Sequence, residues 1–193
     1  LQKDPWVASA TYERQFPNTL RITIVERKVT AIVALSSGPV AWYLGENNVW
    51  LEADQLTVPE GKTTATVALE KATSEGKLLV TDVPATVSPV AGTTATDAEI
   101  QAVMQYQSTF SSELTSQIVS YSASSVDAIS VTLTNGVQVA LGSPTQITDK
   151  EKVILAMLKQ FPGELTYLNV RTPASPTYRR VSTGNVQSGS GVS

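Results

Sequence analysis

Cysteine and histidine are both absent from this chain of 193 residues. Without cysteine there can be no disulfide framework and no thiolate metal site. Without histidine the commonest general base, the commonest metal ligand and the usual pH switch disappear together. Charge is sparse, at 16% of residues, and a net charge of −3 with a pI near 5.0 argues against nucleic acid or an anionic membrane as the main partner. No run approaches the roughly 18 consecutive apolar residues of a membrane span, and no signal peptide opens the chain. The first residue is Leu1, not Met, so a piece of a longer protein is expected. What is present suffices for a real core: 41% of residues are hydrophobic, in a length that suits one ordinary domain or two small ones. Nearly a quarter of the residues are Ser or Thr, a composition common among exported domains.

Period-two patterning dominates the first quarter. Ala10 and Tyr12 share one face of an extended run from Val7 to Arg14, and Phe16-Pro17-Asn18-Thr19 reads as a turn. Leu20, Ile22 and Ile24 then alternate with Arg21 and Thr23, which predicts a half-buried strand. Further strands are expected at Thr30–Leu35, Val40–Leu44 and Val49–Ala53, with a turn at Gly45–Asn48. Pro59 and Gly61 mark Gln55–Lys62 as a linker. A short helix over Ala65–Glu75 should stop at Gly76, which supplies a left-handed C-cap, and a strand follows at Leu78–Val83. Pro84 and Pro89 punctuate an extended connection to Gly92.

The second half alternates helix and strand. Thr96 and Glu99 form a capping-box pattern ahead of Ile100, Val103, Phe110, Leu114 and Ile118, which recur near helical spacing. Val119–Ser122 begins a strand system, and Asn135–Gly136 between Ile129–Thr134 and Val137–Leu141 is a strong hairpin signal. A second capping-box pattern, Thr148 with Glu151, opens a helix whose inner face carries Val153, Ile154, Met157, Leu158 and Phe161; Pro162–Gly163 ends it. One last strand spans Leu165–Arg171. Residues 181–193 hold almost nothing apolar and are expected to be disordered. The order predicts an α+β protein, its mostly antiparallel sheet carrying helices on one face.

Catalytic chemistry finds no footing. Without His or Cys a nucleophile would need a Ser–Lys or Thr–amine arrangement, and neither SxxK ahead of a helix nor a GxSxG elbow occurs; Gly189-Ser190-Gly191 lies in the low-complexity tail. Glu13, Glu26, Glu46, Glu52 and Asp54 are scattered over strand and turn positions, unlike the paired carboxylates of a glycosidase. P-loop, GxGxxG and calcium-loop spacings are missing, so neither metal nor cofactor is expected. Trp6, Trp42 and Trp50 sit beside apolar strand residues and read as packing, not as a sugar platform. Tyr178-Arg179-Arg180 reads as a solvated cluster in preference to an anion grip.

Two motifs at opposite ends carry a resemblance. Pro5, Trp6, Val7, Ala10, Arg14, Pro17, Thr19, Leu20, Ile22, Ile24 and Glu26 match the POTRA region of the FtsQ/DivIB family of bacterial division proteins. There, a Pro-Trp-Val end leads to a strand, a turn and a second strand ending in Glu-Arg. Gly136, Gly142, Lys152 and Asn169-Val170-Arg171, with Pro173 and Pro176 beyond, resemble that family's second domain. The likeness runs in order over nearly the whole chain. It departs in lacking the first POTRA strand and helix and the upstream transmembrane anchor, and in having Val29-Thr30-Ala31 where a proline commonly follows Glu-Arg. The resemblance divides the chain into a truncated POTRA-like β-rich unit at 1–54, a C-terminal β domain at 55–180 and the tail.

What the resemblance implies is a non-enzymatic extracytoplasmic scaffold of the divisome. The family's members are single-pass membrane proteins concentrated at the septum, which bind the coiled-coil proteins FtsB (DivIC) and FtsL in support of septal wall synthesis. A POTRA-type chaperone or secretion module is the alternative, and tandem repeats, its usual mark, are absent. On this reading Trp6, Tyr12 and Pro17 are structural residues of the N-terminal unit, with Trp6 and Tyr12 in its core. The last strand is expected at a sheet edge, because Pro173 ends regular pairing. Leu168 and Val170 should anchor it, while Tyr167, Asn169, Arg171, Thr172 and Ala174 line the contact with an added strand of FtsB (DivIC). The family is often aromatic just after this Arg, where this chain has Thr172.

Overall fold

The computed structural model describes residues 3–181; the tail expected to be disordered lies almost entirely outside them. The N-terminal alternation forms a hairpin, β1 (Val7–Gln15) and β2 (Thr19–Glu26), turning at Phe16-Pro17-Asn18. Its register puts Ala10 opposite Ile24, Tyr12 opposite Ile22 and Arg14 opposite Leu20 on one face, and Thr11–Thr23 and Glu13–Arg21 on the other. The apolar face is open: Tyr12 is 81% exposed, Phe16 at the tip is 90% exposed, and Leu20, Ile22 and Ile24 are exposed too. Tyr12 is therefore not core, nor is the second strand half-buried, because a two-stranded ribbon has no second layer of its own to cover its apolar face. Trp6 behaves differently. It is half-buried with its ring 6.1 Å from that of Tyr43.

Arg27 fixes the hairpin to the body. Its backbone N–H donates to the Trp6 carbonyl at 2.7 Å, and its guanidinium donates to the carbonyls of Pro5 (3.1 Å), Glu46 (3.3 Å) and Val7 (3.5 Å). The stem needs the missing side chain of Gly45, where a Cβ would stand 2.7 Å from Arg27 Cδ.

All remaining strands join one nine-stranded sheet. They are β3 (Val29–Leu35), β4 (Val40–Gly45), β5 (Val49–Gln55), β6 (Leu78–Val83), β7 (Ile118–Ala123), β8 (Ile129–Leu133), β9 (Gln138–Ala140), β10 (Leu165–Asn169) and β11 (Thr177–Arg180), in spatial order β11-β10-β9-β8-β7-β6-β3-β4-β5. The pairs β3–β6, β6–β7 and β9–β10 are parallel and the other five antiparallel, so the α+β, mostly antiparallel reading holds. The sheet runs straight across position 54. That position lies inside β5, and β3 pairs directly with β6, so residues 29–54 share a sheet with everything that follows.

Both faces of the sheet carry helix. On one face, α2 (Ala98–Thr109), the single turn α3 (Ser112–Thr115) and α4 (Ile147–Gln160) bury Val33, Leu35, Val80, Tyr121, Val131, Val139 and Leu168. On the other, α1 (Thr64–Glu75) sets Ala68 and Ala72 against Ile32, Ala34, Ala41 and Leu79. The alternation of β3 explains this, since Ala31, Val33 and Leu35 face one way and Ile32 and Ala34 the other, all buried. The one-face arrangement describes α2 to α4 only.

The helix ends show where local signals win. Thr63 Oγ1 accepts from the Thr66 N–H at 3.2 Å to start α1, and Gly76 at φ +62° ends it as expected. Neither capping box forms. α2 begins one residue late, with Asp97 at its N-cap, and α4 begins two residues early, behind Gln146. Glu151 turns away to a buried seat, where it accepts from the Ser111 N–H at 2.9 Å and from the Ser111 hydroxyl. That bond holds the chain at the break between α2 and α3, so the apolar periodicity from Ile100 to Ile118 does not form one helix.

Candidate partner-binding edge

The expected last strand is not the last. Pro173 and Pro176 flank a reversal in which the Ser175 N–H donates to the Thr172 carbonyl at 3.0 Å, and the chain returns as β11. Leu168 then stands opposite Tyr178, Tyr167 opposite Arg179 and Asn169 opposite Thr177. β10 lies between β9 and β11, so Tyr167 and Asn169 belong to an interior strand, and among the described residues the free edge at this end of the sheet is β11. Thr172 and Ala174 fall in the connecting turn and Arg171 just beyond β10. Leu168 and Val170 are fully buried, as expected of anchors.

The cluster Tyr178-Arg179-Arg180, read from sequence as merely solvated, is ordered along this edge. Tyr178 shares the face of Leu168 and stacks on Phe161, ring centroids 5.1 Å apart at 27°. The Arg180 guanidinium lies 4.8 Å from the Phe161 ring and 3.3 Å from Glu164 Oε2. On the opposite face Arg179 covers Tyr167 at 4.8 Å. Stacked guanidinium groups keep their charge and spare donors while losing side-chain freedom. The exposed pair with Glu164 adds little stability. The edge strand itself has no carboxylate and carries Arg179 and Arg180, one on each face, on a chain whose net charge is −3.

Tyr178, Arg179, Arg180 and Phe161 are thus the residues that the reading of the last strand missed. Their signal was present: an aromatic-basic run of β-forming length just after two prolines that force a reversal. At the opposite edge, β5 is partly covered, because Trp50 exchanges backbone hydrogen bonds with Thr93 (2.9 Å) and Gly92 (2.7 Å). Among the described residues no helix is long and apolar enough to cross a membrane.

Two family sequence models match this chain. The POTRA domain of FtsQ type covers residues 1–27, which is the segment through the hairpin to Arg27. The model for the C-terminal part of cell division protein FtsQ/DivIB covers residues 60–171, more than half the chain. The chain belongs to the FtsQ/DivIB family. Among curated relatives, the cell division protein FtsQ of Mycobacterium tuberculosis is 30% identical over 176 residues, covering 90% of this chain and 46% of that protein. That of Mycobacterium leprae is 31% identical over 175 residues, covering 90% and 42%. The chain therefore spans less than half the length of the relatives it matches. The FtsQ/DivIB C-terminal match ends at Arg171 and leaves β11 outside it.

Proposed function

We propose that this chain is a non-enzymatic extracytoplasmic scaffold of the division machinery, which takes an extended segment of an FtsB (DivIC)-type coiled-coil protein onto the free edge of β11. The observation that carries the reading is the edge itself: a strand with one side unpaired, dressed with stacked Tyr and Arg, on a domain of a cell-division family. An unpaired edge presents a row of N–H and C=O groups, which is a template for a partner strand unless it is blunted. Arginine on both faces favours an acidic partner segment, and the stacking holds those cations in place before binding. An FtsL-type protein joins through the same coiled coil. In the full-length protein an upstream span anchors the chain in the cell membrane at the septum. We read the open apolar face of the β1–β2 hairpin as the seat for the rest of the POTRA unit.

The test uses backbone donors. Adjacent residues of a strand direct their N–H groups to opposite sides, so of Tyr178→Pro and Arg179→Pro one removes a donor aimed at β10 and the other a donor aimed outward. The inward variant identifies itself by a lowered melting temperature. The outward variant should melt like the parent yet bind the extracytoplasmic part of the FtsB (DivIC)-type protein from the same genome about tenfold more weakly, one hydrogen bond's worth at 1–1.5 kcal/mol. Unchanged affinity in both folded variants would remove β11 as the binding edge.

A further inference from the structure

Two charged side chains are buried among the described residues, Lys150 and Glu151. Glu151 is occupied by Ser111, and among the described residues no carboxylate lies within ion-pairing distance of Lys150. The Lys150 ammonium instead donates to the Ser143 carbonyl at 2.6 Å and to the Tyr106 hydroxyl at 3.0 Å. Three successive carbonyls converge on that hydroxyl, those of Leu141 (3.3 Å), Gly142 (3.2 Å) and Ser143 (2.6 Å). Lys150 and Tyr106 are both wholly buried. Burial lowers the lysine pKa and raises that of the tyrosine, which therefore stays a neutral hydroxyl. A buried ammonium without a counter-ion costs more than an apolar side chain of the same size. The position it occupies therefore calls for a reason.

That reason lies on the outer side of the same turn. Gly142 has φ +70°, which lets the chain curl so that its carbonyls point inward. A Cβ on Gly142 would stand 2.9 Å from Cγ of Arg171 and 3.5 Å from its Cβ and Cδ, so the arginine stem lies directly across the glycine. The Leu141 and Gly142 N–H groups both donate to the Ile129 carbonyl at 2.9 Å, and the Val170 N–H to the Ala140 carbonyl at 2.9 Å. The turn is thus gripped by β8 through its donors and by Lys150 and Tyr106 through its acceptors, with Arg171 resting on top.

We propose that Lys150 and Tyr106 are positioning residues for partner binding: they hold the Leu141–Ser143 turn in the one shape in which Gly142 seats Arg171 at the C-terminal end of β10, one strand in from the β11 edge. The proposal rests on the reading of that edge as the partner site, and its test separates the two. Lys150→Met removes the ammonium and keeps the stem, whereas Tyr106→Phe removes only the hydroxyl and serves where the lysine variant fails to fold. Each is compared with Gly142→Ala, Arg171→Ala and the Lys150→Met/Arg171→Ala pair.

The first readout needs no partner: the Nε–Hε resonance of Arg171 and hydrogen exchange at the Leu141 and Gly142 amides. In both clamp variants the resonance should move toward that of a free arginine and the two amides should exchange at least about tenfold faster, with the melting transition still cooperative. The second readout is affinity for the extracytoplasmic part of the FtsB (DivIC)-type protein. It should fall in Lys150→Met by about as much as in Arg171→Ala, and no further in the double variant, because the two act through one contact. A folded Lys150→Met or Tyr106→Phe whose Arg171 resonance and turn exchange match the parent overturns the proposal. Undiminished affinity in Arg171→Ala overturns the proposal as well, even where Arg171 order is lost in the clamp variants, because Lys150 and Tyr106 then hold the turn without serving the partner.

Discussion

Leu168→Ala is expected to destabilise the protein by about 2–5 kcal/mol and to abolish partner binding in whatever fraction stays folded. Leu168 is fully buried near the C-terminal end of β10, in the cluster that includes Val131, Val139 and Ile154. Truncating a buried leucine loses both its transfer free energy and the contacts around the cavity it leaves. The functional consequence comes from register. Leu168 faces Tyr178 across the β10–β11 pair and Val139 across β9–β10, so it is the side chain that ties the edge to the interior. Chemical denaturation checks the first part and titration with the partner at a temperature where the variant is folded checks the second. A variant that loses stability while binding with parental affinity would place the binding surface away from β10 and β11.

Trp50→Ala carries the largest expected loss of stability, about 3–5 kcal/mol. Trp50 is 2% exposed, meets Trp42 edge-on with ring centroids 6.1 Å apart at 72°, and lies at the far edge of the sheet from β11. Because β3 and β6 join the two halves by direct strand pairing, the loss should appear as a shift of one transition for the whole sheet. Calorimetry on Trp50→Ala and Leu168→Ala should each give a single peak, both moved downward. Two peaks, each sensitive to only one substitution, would restore a division of the chain near position 54.

Much of the fold was legible because it is written locally. The period-two runs placed nearly every strand, Gly76 marked the end of α1, and Asn135–Gly136 marked the β8–β9 turn, where Asn135 Oδ1 accepts from the Val137 N–H at 3.1 Å. What was not legible depends on partners distant in sequence. The pairing of β3 with β6 spans more than forty residues, and nothing in either run specifies it. Linker-like residues at Gln55–Lys62 suggested a boundary, yet Leu56 is buried and its N–H donates to the Pro39 carbonyl at 2.8 Å. Glu151 fits a capping box by spacing, but a buried acceptor was needed at Ser111 and tertiary structure prevailed. Tyr12, Ile22 and Ile24 have the pattern of a covered face, and pattern alone cannot say whether the cover is present.

For the site, the anchors Leu168 and Val170 could be read because alternation separates inward from outward positions. The edge was legible only in part: Tyr178-Arg179-Arg180 after two prolines signals a returning strand, but the polarity of Thr177–Arg180 reads equally as a solvated cluster. Only the proline-bounded reversal brings them back beside β10, with Phe161 waiting at the end of α4 to stack on Tyr178. Lys150 was hidden for a similar reason: a lysine in the first turn of an amphipathic helix reads as surface.

The most direct measurement is hydrogen exchange of each backbone amide in the free protein and in its complex with the extracytoplasmic part of the FtsB (DivIC)-type partner. In the free protein the outward amides of β11 should exchange fast, because among the described residues no strand pairs with it on that side. In the complex we expect new protection at alternate amides within Tyr178–Arg180, the pattern of an added strand, with the β1–β2 hairpin and β5 unchanged. Protection appearing on the hairpin or on β5 while β11 exchanges as before would contradict the account.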